Sequence, residues 1–160
     1  MNYNADEEFR YSPIVRSDTQ MMYLIFSRYE KMIRVHLLKP RPGLDVGVQK
    51  ATLQGMPRPP KYGGSSNIVT FDDWITTIVR WFKAANICGP ERVNDENGEL
   101  TISSTDVQRT TTIGTFLDGD AKNWYNDVID NVNWNINLDD DYDQYTFIDV
   151  IKGLYRRFIH

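Results

Sequence analysis

The sequence predicts an all-α fold, a bundle of four to five helices with a β-hairpin inserted near residues 91–103 and an extended N-terminal arm. Three observations predict it. Four separate stretches carry apolar side chains at helical spacing. Several of them open on a capping residue. Five of the seven prolines and half of the ten glycines fall between residues 39 and 67, which divides an arm at 1–58 from a lobe at 59–160.

Taken in order, residues 1–17 show no period. "SDTQMMYLIFSRYEKMIRVHLL" follows, with Ser17 or Asp18 as cap and Met21, Leu24, Ile25, Met32 and Leu38 on an apolar side, a helix over about 18–38 that Pro40 stops. The connector at 39–67 has polyproline character at "MPRPPKY". Its "PRPP" fits either a ligand for a proline-recognition module or, the reading preferred here, a stiff strap lying on the domain. "TFDDWITTIVRWFKAANICGP" reads as a helix capped by Thr70 with Asp73 three residues on. Asp72 and Asp73 then sit at its positive end, Phe71, Trp74, Ile75, Ile78, Trp81, Phe82 and Ala85 form a core stripe, and Gly89-Pro90 ends it. "ERVNDENGELTIS" places Asn97-Gly98 between two β-prone runs, which predicts a hairpin with a type I′ turn.

After Ser104, "TDVQRTTTIGTFL" predicts a helix with Val107, Ile113 and Leu117 inward. "AKNWYNDVIDNV" repeats Ala121, Trp124, Tyr125, Val128, Ile129 and Val132 as one amphipathic helix. Residues 133–144 form an acidic loop that Trp134, Ile136 and Leu138 tack down. A last helix starts at Thr146 with Asp149 three residues on, buries Phe147, Val150, Ile151, Leu154 and Phe158, and carries Arg156 and Arg157 in its final turn. The chain ends at His160 as that helix ends, which leads us to expect a further domain beyond it.

Composition narrows the function. The net charge of −4 is uneven: ten Lys/Arg against six Asp/Glu up to Tyr62, then eight against sixteen. The acidic back half repels phosphate backbones, so direct nucleic-acid binding is not expected. No apolar run approaches a membrane span, the acidic N-terminus is no secretory signal, and Asn2 stands where myristoylation needs glycine. A single cysteine, Cys88, precludes an internal disulfide and fits an intracellular setting. A metal site would have to draw on Cys88, His36, His160 and carboxylates without recognisable spacing, so neither metal nor cofactor is expected. In the acidic run near 95–99 the glycine is misplaced for a calcium loop and no bidentate glutamate closes it, and after the run at 139–143 Gln144 stands for the needed glycine and Val150 for the closing glutamate.

The pair Asp118 and Asp120 invites an acid–base reading. Its position between two helices offers another: Gly119 in the left-handed conformation ends the first helix, and Asp120 caps the second. No G-x-S-x-G, Walker, G-x-G-x-x-G or H-E-x-x-H motif is present, so no catalytic residue is assigned and no enzyme is expected. The aromatic rings from Trp74 to Phe158 are expected to share a dry interior, with the aspartates outside it.

Three ordered segments carry a resemblance. "PPKYGGSSNIVTFDDWITTIVRWF" resembles the opening of the Gag capsid region of gypsy-type LTR retrotransposons, with Pro59, Lys61, Tyr62, Gly64, Phe71 and Trp74 matching. "FLDGDAKNWY" is similar to its central signature at Leu117, Gly119, Ala121, Trp124 and Tyr125, and "YTFIDVIKGLYRRFI" to its closing helix at Phe147 and Phe158. The match spans about 59–159, without the second capsid lobe or a zinc knuckle, and the hairpin is longer than the family's usual linker. The resemblance implies an amino-terminal capsid lobe that packs against copies of itself in cytoplasmic virus-like particles. A domesticated lobe that binds short peptides or other proteins is the alternative it implies.

Overall fold

The computed structural model describes residues 18–40, 55–130 and 145–159. The expectations for Val132, for Trp134, Ile136 and Leu138, for the acidic run at 139–143 and for His160 lie outside these residues. The described chain is mostly helical, with one small antiparallel sheet: α1 (Asp18–His36), α2 (Ile68–Ala84), β1 (Arg92–Asn94), β2 (Leu100–Ile102), α3 (Ser104–Gly114), α4 (Gly119–Trp124) and α5 (Phe147–Phe158).

α1 buries Phe26, Tyr29 and Ile33, and Leu37 just past its end continues the same stripe at i, i+3, i+7 and i+11. The expected stripe is rotated from this one. Ile25, Met32 and Leu38 only flank the core, and Met21 and Leu24 remain partly exposed. The two aromatics decide the rotation, since each removes more area from water than a methionine at the neighbouring position. Tyr29 and Arg28 both engage Asp72 of α2. Glu30 pairs with Lys152 of α5 at 2.6 Å. The arm's helix thus contributes to the same core as the lobe.

α2 begins three residues earlier than the sequence suggests. Asn67 is its N-cap, with Oδ1 accepting from Val69 N at 2.8 Å and Thr70 N at 3.4 Å. Thr70 is therefore inside the first turn, and Asp72 and Asp73 fall beyond it. Of the expected stripe, Phe71, Trp74, Ile75, Ile78 and Phe82 are buried, Trp81 is half-buried, Ala85 is half-buried at the C-cap, and Val79 joins the buried set. The helix ends not at Gly89-Pro90 but at Ala84, with Ala85 as C-cap and Asn86 after it, the one described non-glycine residue with positive φ, at 53°. Asn86 N donates to Lys83 O and Ile87 N to Phe82 O, the paired bonds of a Schellman motif with Asn in place of Gly.

β1 and β2 pair Arg92 with Ile102, Val93 with Thr101 and Asn94 with Leu100. Asn97 does not take the positive φ that a type I′ turn requires. Gly98 does, at 79°, while Asp95 Oδ1 accepts from Asn97 N and Glu99 N. The turn is longer than two residues because this aspartate satisfies its backbone from within.

α3 is capped by Ser103 and faces inward through Asp106, Arg109 and Ile113, while Val107 is 45% exposed. Leu117 is buried as expected, but in the extended segment after the helix. α4 runs on into a π-helical turn at Tyr125–Ile129, in which Asp130 N donates to Tyr125 O. That turn shifts the helical phase, so Ala121, Tyr125 and Ile129 are buried while Val128 is 37% exposed. α5 carries the expected capping box between Thr146 and Asp149 and buries the expected stripe, with Tyr155 added.

The revised start of α2 is testable. Asn67→Ala is expected to lower unfolding stability by about 1 kcal/mol, and Thr70→Ala to change it little. Urea denaturation of the two variants checks the order.

Candidate functional site

A strap brings together Tyr62, Phe71, Trp74, Leu117 and Phe158 of the residues singled out by the three sequence segments. From Pro57 the chain runs without helix or turn up to Asn67, burying Pro59 and Tyr62. Tyr62 forms a parallel bridge with Leu117. Its N–H donates to Phe116 O at 2.9 Å, and its C=O accepts from Asp118 N at 3.0 Å. Gly63 O then accepts from Ala121 N at 3.3 Å. The strap is thus hydrogen-bonded to the link between α3 and α4, consistent with the strap reading of "PRPP".

The Tyr62 ring stacks on Trp74 at 5.2 Å and meets Phe71 edge-on at 5.3 Å and Phe158 at 6.2 Å. Its hydroxyl donates to Ser65 O at 2.6 Å, which satisfies the polar end of an otherwise apolar residue. Gly64 explains its own place in the motif. It has φ of 106°, and a Cβ there would lie 3.1 Å from the Phe158 ring. Among the described residues, Trp74 Nε1 is buried without a hydrogen-bond partner.

Gly119 has the expected positive φ, 51°, but it begins α4 rather than ending α3, which stops at Gly114. Asp118, not Asp120, occupies the N-cap position, and its side chain makes no cap hydrogen bond. Both aspartates are exposed, and Asp120 lies in the first turn of α4, where a negative charge suits the helix dipole. Tyr125 lies across Gly114, and its hydroxyl donates to Thr110 O at 2.7 Å. Trp124 covers Gly153 of α5, where a Cβ would sit 2.7 Å from the indole. Phe147 packs on Phe82 at 5.2 Å rather than on the Tyr62 ring cluster.

Sequence reasoning missed the polar centre of the molecule. Arg109 and Asp106 are 0% and 2% exposed, so the expectation that the aspartates lie outside fails at Asp106. Arg109 Nε and Nη2 donate to Asp106 Oδ1 at 3.1 and 3.0 Å. Nη1 also donates to Leu37 O, Ile87 O and Gly89 O at 3.1–3.4 Å, and Nη2 to Gly89 O at 3.1 Å. Asp106 Oδ2 accepts from Phe147 N at 3.0 Å. Burial pushes the Asp106 carboxyl above its ordinary value, against the pull of the Phe147 N–H and of Arg109. The one available signal was the Asp106-x-x-Arg109 spacing, which places the two side chains on one helix face.

No group of three His, Cys, Asp or Glu side chains among the described residues is placed to hold a metal ion. Cys88 is buried, with its thiol directed at His36 O at 3.9 Å. No described helix is long and apolar enough to cross a membrane. Open grooves on the surface of the described residues include two of the larger size. One, of ≈ 690 Å³, lies between α1 and the start of α2; the other, of ≈ 940 Å³, lies between the hairpin, the π turn and α5.

Two predictions follow the geometry of these polar groups. Arg109→Met leaves Asp106 buried without its counter-charge and is expected to cost about 3–5 kcal/mol. Asp106→Asn, which keeps an acceptor for Phe147 N, is expected to cost less, and urea melts rank the two. Burial also pushes Tyr29, Tyr62 and Tyr125 up to about 12 from the ordinary 10.0. A phenol whose folded value is raised stabilises the fold fully below pH 10 and loses that contribution as pH rises through about 12. Ultraviolet titration is expected to show a late phenolate step between these values that coincides with loss of near-ultraviolet circular dichroism. A late step absent while the fold persists would refute it.

The chain matches no family model, no curated protein and no solved structure, so what it does is argued from its own residues.

Proposed function

We propose that this chain is a structural assembly unit, the amino-terminal capsid lobe of an LTR-retrotransposon Gag protein, which builds virus-like particles by packing against copies of itself. One observation carries the reading. Tyr62, Phe71, Trp74, Leu117 and Phe158, drawn from three segments up to 96 residues apart, meet around one strap. That convergence supplies a physical reason for the three motifs to occur together in one chain. Gly64 and Gly119 fit the same reason, because each has the backbone conformation that its place beside the strap demands.

The chemistry supports the same reading. The aspartate pair of the central segment is exposed on a turn, and the buried titratable pair is engaged by backbone groups. A shell subunit needs a rigid body and outward surfaces, and weak contacts become strong when many act together.

The test is expression of the complete open reading frame that encodes this chain, followed by electron microscopy. Regular particles are expected, and Tyr62→Ala combined with Trp74→Ala is expected to abolish them by removing the ring cluster under the strap. Soluble, folded protein that forms no particle at any concentration would contradict the proposal.

A further inference from the structure

The hairpin and the α1–α2 groove are complementary, and both are open. Every residue from Arg92 to Thr101 is exposed, and the hairpin forms one wall of the ≈ 940 Å³ groove that it shares with the π turn and α5. Leu100 is 64% exposed beside a turn that carries Asp95, Glu96 and Glu99 and no basic residue. The groove of ≈ 690 Å³ is floored by Leu24, Ile25, Ile68 and Val69, and Val69 is 63% exposed. Arg28 and Lys31 stand on its α1 wall. The facing carboxylate, Asp72, is engaged by Arg28 and by the Tyr29 hydroxyl. The groove therefore presents an apolar floor with a net positive rim, and the hairpin presents an apolar side chain with a negative tip.

We propose that the hairpin tip of one copy docks into the α1–α2 groove of the next, so that copies join head to tail. Leu100 meets the floor at Ile68 and Val69, and Glu96 and Glu99 approach Lys31 on the rim. Such a contact is heterologous: each copy uses two different patches, and repetition gives a ring or a longer array rather than a closed pair. A groove-to-groove pair would set Lys31, the rim charge that Asp72 does not compensate, against its own copy, and a hairpin-to-hairpin pair would set three acids against three, so the charges disfavour both two-fold alternatives. The inference rests on the self-assembly reading and specifies one of its contacts.

Sedimentation velocity of the whole chain over a concentration series tests it, with the exposed-site variants Val69→Glu and Leu100→Glu. The wild type is expected to associate, more weakly as salt screens the rim charges. Each variant alone is expected to lose association by about tenfold or more in Kd, with an unchanged melting profile. The decisive arm mixes the two variants. Val69→Glu keeps a working hairpin and Leu100→Glu keeps a working groove, so the mixture is expected to form a one-to-one dimer and nothing larger. A mixture that stays monomeric, or a variant that associates as well as the wild type, overturns the proposal. Particles that form from the complete reading frame while the mixture stays monomeric would overturn this contact and leave the capsid reading standing.

Discussion

The buried pair of Arg109 and Asp106 sets the geometry of the rest of the molecule. Taking two charges out of water costs several kcal/mol for each ion, and only a full set of partners offsets it. Here the partners are backbone groups at the ends of other elements. The guanidinium donates to Leu37 O just past α1, and to Ile87 O and Gly89 O in the segment that leaves α2. The carboxylate receives Phe147 N at the first residue of α5. A positive group thus sits where helices end and a negative group where one begins, which is the arrangement helix dipoles favour. Moving any of these ends would leave an unpaired charge in the interior, so their positions are mutually constrained.

The strap depends on that frame. Tyr62 can bridge Leu117 only if α3 and the segment after it are held in place, and α3 carries both members of the pair. The ring cluster around Tyr62 then links α2 to α5 through Trp74, Phe71 and Phe158. A polar knot fixes the ends of the elements, and an aromatic cluster fills the space between them. Among the described residues, the hairpin, the grooves and the outer faces of α1 and α4 remain exposed.

Much of this was legible in the sequence, for identifiable reasons. The stripes of α2 and α5 are long, strongly periodic and rich in large side chains, so Trp74 and Phe158 could be placed inward from spacing alone. The capping box at Thr146 and Asp149 is a local signal and reads locally. The errors arose where a tertiary partner outweighed the local pattern. Thr70 resembles a cap, but Asn67 lies one turn earlier and accepts two N–H groups. Val107 looks like a core residue, yet α3 turns it outward because Arg109 and Asp106 have partners on three other segments. A π-helical turn shifts the phase after Tyr125, which no count at 3.6 residues per turn anticipates. Of the candidate site, the motif positions were legible while their convergence on the strap was not, because a β-bridge between Tyr62 and Leu117 leaves no periodic trace in either segment.

Amide hydrogen exchange at Phe147, measured residue by residue in the native protein, tests the central claim most directly. The account predicts that this N–H, which donates to the buried Asp106 carboxylate, exchanges only when the whole domain unfolds, with the same free energy as the core of α2. Exchange at Phe147 through a local opening well below that free energy, while the α2 amides stay protected, would show that the Arg109–Asp106 pair does not hold the helix ends together.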